Sequence, residues 1–153
     1  MKITDIFSKE LIIEDLKARN KRDALVELSS LFLQGHKICD HNAVVNVLLE
    51  REKLGSTGIG DGIAIPHGKH SDLDHLIVSF GRSKEGADFD AMDGKPVHLF
   101  FLLMAPENTT GQHLKVLAKI SRMLKDSKFR GNLMEAKTKD DLFRIIIERD
   151  DVC

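Results

Sequence analysis

The sequence predicts a three-layer α/β domain spanning residues 1–153, with a central sheet flanked by helices on both faces. Three observations predict it. Apolar residues recur at the helical period through the N-terminal third, give way to glycine-punctuated extended runs, and return to the helical period from Asn108 onward. A length of 153 residues matches one compact unit at roughly 150 residues per domain. With 42% hydrophobic and 31% charged residues, the chain has the composition of a globular protein and needs no disulfide scaffold. It contains no internal repeat and no Pro/Ser-rich linker.

Ala24, Leu25, Leu28, Leu31 and Phe32 form one apolar stripe on a helix from about Lys21 to Gln34, with Gly35 as its stop. A second helix follows, with Asp40 as N-cap, Val44, Val45, Leu48 and Leu49 as its inner face, and Arg51 and Lys53 in its last turn. Gly62 to Pro66, Leu76 to Phe80 and Pro96 to Met104 read as strands. Val97 to Met104 is almost continuously apolar, as a central strand covered on both faces would be, and Asp93-Gly94 supplies a turn before it. A helix capped by Asn108, Thr109 or Thr110 runs to about Lys125. The closing helix begins near Thr138, where Thr138-x-x-Asp141 has the form of a capping box, and turns Leu142, Ile145 and Ile146 inward.

Charge and composition exclude several functions. Lys plus Arg (23) nearly cancels Asp plus Glu (24), so the chain has no net field with which to hold nucleic acid, and any anion must be met locally. No apolar run reaches the length of a membrane span, and acids interrupt the first twenty residues where a signal peptide would be apolar, so the expected location is the cytoplasm. Cys39 and Cys153 lack metal or redox spacing and read as free thiols. His70, His75, Asp72 and Asp74 match no zinc signature, so no metal site is expected. His36, His41 and His98 read as structural or exposed, and Asp88, Asp90 and Asp93 as turn formers.

The chemistry concentrates in Gly55 to Gly68, GSTGIGDGIAIPHG. Five glycines in fourteen residues let the backbone approach a ligand closely, and Ser56 and Thr57 add hydroxyls, which suits an anion. A dinucleotide fingerprint would open a helix, whereas this segment runs into an extended stretch ending in proline. A Walker loop fails because Gly68-Lys69 is followed by His70. His67 stands between Pro66, which holds Ile65 extended, and Gly68, which leaves one side open. As a turn residue it would be bland; as a nucleophile it must be neutral at the attacking nitrogen, a state set when the other nitrogen donates a hydrogen bond.

His113 shares a helical stripe with Leu117, Ile120 and Leu124 and points toward the sheet. It is either a hydrogen-bonded histidine at the edge of the core or, beside a helix N-terminus, a partner for an anion shared with His67. Arg51 has two readings as well: a planar fork for phosphate oxygens, or a cap on its own helix.

These residues resemble the enzyme IIA components of the bacterial phosphoenolpyruvate-dependent phosphotransferase system, of the fructose/mannitol type, most closely the nitrogen-regulatory branch. The carrying motifs are Arg51-Glu52 followed by GSTGIGDGIAIPHG, and GQHLKVLAKISRML around His113, within a likeness that runs from Ile3 to about Glu148. The resemblance implies a mixed parallel and antiparallel sheet between helices. It further implies that His67 takes a phosphoryl group on Nε2 from HPr or a nitrogen-type HPr, with His113 and Arg51 stabilising it and Ser56, Thr57 and Gly68 lining the phosphate site. No metal, nucleotide or other cofactor is implied. Downstream partners would be a IIB protein, transporters or sensor kinases. The alternatives are a sugar-specific IIA feeding a IIB cysteine, or a regulatory docking module whose surface is switched by phosphorylation.

Overall fold

A computed structural model describes residues 1–33 and 38–152. Short 3-10 turns at Ile3–Asp5 and Lys9–Leu11 lead into β1 (Ile12–Ile13), which the helical reading of this third did not anticipate. The first helix, α1 (Lys21–Ser30), begins where the Asn20 side chain accepts the Asp23 N–H at 2.9 Å, and it buries Ala24, Leu25 and Leu28. It then tightens into a 3-10 turn at Leu31–Leu33. The expected stop at Gly35, and His36, lie outside the described residues, as does Cys153. Asp40 caps α2 (His41–Lys53) as expected, accepting the Ala43 N–H at 3.0 Å, and Val44, Val45 and Leu48 are buried.

The strand expected over Gly62 to Pro66 is divided into three: β2 (Gly58–Gly60), β3 (Ile63–Ala64) and β4 (His67–His70). Asp61 and Gly62 both have positive φ, 57° and 77°, as the two central residues of a primed hairpin turn require, and this folds β2 back on β3. β5 (Ile77–Ala87) extends well past Phe80, and β6 (Val97–Pro106) follows the Asp93-Gly94 turn. The sheet order is β1-β5-β6-β3-β2, with β4 also on β6. β1–β5, β3–β6 and β4–β6 are parallel; β2–β3 and β5–β6 are antiparallel. β6 is therefore paired on both edges, with β5 along one and β3 then β4 along the other, which accounts for its unbroken apolar run.

Alternate residues of β5 identify the two covered faces. Ser79 Oγ donates to the Leu28 carbonyl of α1 at 3.2 Å, and a Cβ on Gly81 would stand 2.7 Å from Leu28. Arg82 points the other way, toward the C-terminal helices α3 (Gln112–Leu124), α4 (Ser127–Glu135) and α5 (Lys139–Val152). Helices thus cover both faces of a mixed sheet, as expected.

Two features of the C-terminal part differ from the sequence reading. The helix that carries His113 starts at Gln112, after Gly111 in a left-handed conformation (φ 103°), and not at Asn108, Thr109 or Thr110; Thr109 N–H turns back to the Pro106 carbonyl at 3.2 Å. α4 was not foreseen. It is capped by Asp126, which accepts the Lys128 N–H at 3.0 Å, and buries Phe129 and Leu133. The Thr138 cap of α5 is present, with Oγ1 accepting the Asp141 N–H at 3.1 Å; Leu142 and Ile146 are buried, while Ile145 sits half-buried at the margin. A core cluster of buried side chains runs from Ile3 to Ile146. Among the described residues no helix is long and apolar enough to cross a membrane.

Candidate functional site

His67 opens β4, in register with Leu103 of β6, and is half-buried. The Leu103 N–H donates to the Pro66 carbonyl at 2.9 Å, so the residue before the histidine is tied to the central strand. Its Nδ1 lies 3.0 Å from the Ile65 carbonyl oxygen. A carbonyl can only accept, so Nδ1 carries a hydrogen, and in the neutral ring the lone pair is left on Nε2. The hydrogen bond fixes the orientation of the ring through Nδ1.

His113 lies in the first turn of α3, half-buried, with Nδ1 enclosed and without a hydrogen-bond partner. Burial holds its pKa below the ordinary 6.5, and the charges of Lys69 and then His67 add to the effect. That coupling brings His67, Lys69 and His113 into one neighbourhood. Lys69 follows His67 by two along β4 and so shares its face; it is exposed, with no ion-pair partner among the described residues. No side chain caps α3, since Gly111 has none, which leaves the positive end of the helix beside a neutral imidazole. Together these groups would accommodate a small anion next to His67 Nε2.

The remaining expected residues hold the loop in shape. Arg51 donates from Nη1 to the Gly55 carbonyl at 2.9 Å, which is the helix-ending reading of that residue. Ser56 Oγ donates to the Phe89 carbonyl at 3.0 Å and accepts the Gly58 N–H at 3.1 Å. Thr57 is buried, with its O–H and N–H both donated to Glu52, at 2.5 and 3.0 Å. Gly68 does not leave an open side: a Cβ there would stand 2.8 Å from Val47 Cγ1, so its role is to let β4 pack on α2. Glu52, which the sequence reading names in the Arg51-Glu52 motif without a role, is a buried carboxylate that also pairs with Lys21 at 3.2 Å. Its signal was present as an acid in the last turn of α2, where a helix C-terminus disfavours negative charge.

The other polar residues behave as turn and scaffold groups. His98 Nδ1 donates to the Ser83 carbonyl at 2.8 Å, and His41 Nε2 lies 2.9 Å from Ser29 Oγ. His70 Nδ1 accepts the Asp72 N–H at 3.1 Å, and His75 pairs with Asp74. Among the described residues no group of three His, Cys, Asp or Glu side chains is placed to hold a metal ion. Asp88 accepts the Asp90 N–H at 3.1 Å, and Asp93 accepts those of Asp61 at 3.2 Å and Lys95 at 3.0 Å.

The model for the phosphoenolpyruvate-dependent sugar phosphotransferase system EIIA 2 family matches residues 5–149. The chain belongs to that family. This EIIA protein is 40% identical over 148 residues to a nitrogen regulatory protein of Bradyrhizobium diazoefficiens, covering 95% of each chain. It is 36% identical over 150 residues to the fructose-specific EIIABC component of Bacillus subtilis, covering 98% of this chain but only 24% of that protein. The crystal structure of the nitrogen regulatory protein IIA-Ntr from Neisseria meningitidis superimposes with a TM-score of 0.87 at 38% identity, over 94% of this chain and 98% of that one. The EIIA protein is thus a phosphotransferase-system component whose relatives include both nitrogen-regulatory and sugar-specific members.

Proposed function

We propose that residues 1–153 act as one cytoplasmic phosphocarrier unit, in which His67 accepts a phosphoryl group on Nε2 and passes it on or holds it as a regulatory signal. The observation that carries this reading is the Nδ1 to Ile65 carbonyl hydrogen bond, which in the neutral ring leaves the lone pair on Nε2. That lone pair attacks the phosphorus of a donor phosphohistidine on HPr or a nitrogen-type HPr; a P–N bond forms on His67 as the donor's P–N bond breaks. His67 then carries hydrogen on one nitrogen and phosphorus on the other, and the Ile65 carbonyl steadies the positive ring. The arriving anion is met by His113 under the positive end of α3, with Lys69 offsetting the charge. Arg51 lies at the start of the same loop and turns a nitrogen of its fork to the phosphate from there, while Ser56, Thr57 and Gly68 act by holding the loop. The step needs no metal or nucleotide of its own.

Exposed apolar side chains support a protein as the visitor. Leu54 and Ile59 flank the first half of the loop, Met92 is next to it through its N–H to the Gly58 carbonyl, and Leu114 follows His113. Intact-mass analysis after incubation with phosphoenolpyruvate, enzyme I and HPr tests the proposal. One acid-labile phosphoryl group is expected on the native chain and none on His67→Ala, and retention of the label by His67→Ala overturns the assignment. The fructose-specific relative favours a second reading, in which the group moves to the cysteine of a IIB protein. Transfer to a IIB protein separates that branch from the regulatory one, in which the phosphorylated surface acts on transporters or sensor kinases.

A further inference from the structure

An unbroken line of hydrogen bonds runs from a buried carboxylate to the ring of His67. Lys21 Nζ stands 3.2 Å from Glu52 Oε1. Glu52 accepts the Thr57 N–H on Oε1 at 3.0 Å and the Thr57 O–H on Oε2 at 2.5 Å. The Thr57 carbonyl accepts the Ile65 N–H at 3.1 Å, and the Ile65 carbonyl accepts the His67 Nδ1–H at 3.0 Å. Glu52, Thr57 and Ile65 are all buried, so the two Thr57–Glu52 bonds are shielded from bulk water, while the last bond ends on the half-buried His67 ring. From Glu52 to the ring, every donor lies on the histidine side of its bond and every acceptor on the Glu52 side.

The last link is the one that matters chemically, because it decides which nitrogen of His67 is free. Pro66 restricts Ile65 to extended conformations but does not fix where its carbonyl stands. That position is set by the Leu103 N–H on the Pro66 carbonyl and by the Ile65 N–H on Thr57, and Thr57 is gripped at two points by Glu52. A buried carboxylate is expensive, and this one is held by an ammonium and two further donors. An apolar side chain of the same volume would fill the space but leave Thr57 free to shift.

We infer that Glu52 is a positioning residue for His67, acting through Thr57 and Ile65 to keep the imidazole in its Nδ1–H form. The effect on the ring stands by itself; its consequence for phosphoryl transfer rests on the function proposed above. Glu52→Leu combined with Lys21→Met removes the clamp without leaving a buried charge unpaired, and Glu52→Gln keeps an acceptor opposite the Thr57 N–H.

Nitrogen-15 NMR of the His67 ring reads the tautomer directly in the unphosphorylated protein. In the native chain and Glu52→Gln the Nδ1–H form is expected to dominate. In the double variant it should give way toward the Nε2–H form that an unconstrained histidine side chain prefers, with transfer from phosphorylated HPr slowed between about tenfold and a hundredfold. An unchanged tautomer in the folded double variant overturns the inference. A lost tautomer with an unchanged rate keeps the clamp and instead overturns His67 as the acceptor. Should the double variant fail to fold, Thr57→Val, which loses one of the two grips, is read the same way with a smaller expected shift.

Discussion

At the scale of single residues, the candidate site sets a histidine held by a hydrogen bond against one with a ring nitrogen left without a partner. His67 has its tautomer fixed by one carbonyl, whereas His113 has a ring nitrogen enclosed without a partner. Burial, with help from Lys69 and His67, keeps the His113 pKa in the folded protein below the 6.5 of an unperturbed imidazole. The unfolded chain therefore binds more protons than the folded one between those two values, and folding stability falls as pH drops from above 6.5 through the folded pKa. Urea unfolding of the native protein from about pH 7.5 to about 5 should show this loss. His113→Gln should flatten that part of the profile and slow phosphoryl transfer while remaining folded, and an undiminished slope would show that another group is responsible. Gly68 makes a separate demand, since a Cβ would press to 2.8 Å on Val47. Gly68→Ala is expected to cost about 1–3 kcal/mol by overpacking, and Val47→Ala in the same chain should recover much of it.

At the scale of elements, the helices owe their ends to different chemistry. Asn20, Asp40, Asp126 and Thr138 cap α1, α2, α4 and α5 with side-chain oxygens, whereas α3 begins at a glycine with none. The one helix that presents a candidate phosphate-binding residue in its first turn is thus the one whose N-terminus is left without a side-chain cap. The other end of α4 is held by Arg82, which is fully buried. Its guanidinium donates to the Leu133 carbonyl at 2.8 Å, to that of Ala136, and through Nε to the Glu14 carbonyl at 2.9 Å. Its charge is met by the negative end of a helix, with no carboxylate among its described partners. Arg82→Met would leave those carbonyls unpaired in the interior. A loss of about 3 kcal/mol is expected in urea unfolding, with α4 losing amide protection first in hydrogen exchange.

At the scale of the whole molecule, β6 joins the site to the core. It pairs with β5, β3 and β4, and it carries Phe100 and Phe101, whose rings pack on Phe89 and Phe80 at 5.5 and 4.9 Å. Neighbouring residues on a strand face opposite sides, so these two rings anchor opposite layers to the same strand. Phe101→Ala is expected to cost about 3–5 kcal/mol and to lower the midpoint of a single cooperative transition. The chain has no Trp and no Tyr, so far-UV circular dichroism and calorimetry are the suitable probes. Separate transitions for the two helical layers would contradict a shared core.

The sequence by itself determined what depends on near neighbours along the chain. Asp40 and Thr138 announced their helices because a cap needs only an oxygen and an N–H a few residues away, and Val97 to Met104 announced a strand covered on both faces. His67 and His113 stood out as candidates in the same way, from the residues beside them in the chain. The Asp61-Gly62 signal for the β2–β3 hairpin was also present, though the longer apolar run through Pro66 obscured it. Only the tertiary structure decided the rest. Strands of two to four residues, β1, β3 and β4, exist because β5 or β6 lies alongside to pair with them. Gly68 is needed because α2 passes so close, Arg82 is tolerated because the end of α4 receives it, and Glu52 acquires a purpose once Lys21 and Thr57 converge on it. The physical reason is common to all of these. A local pattern fixes what a residue offers, but its energy depends on a partner remote in the chain, and folding alone brings the two together.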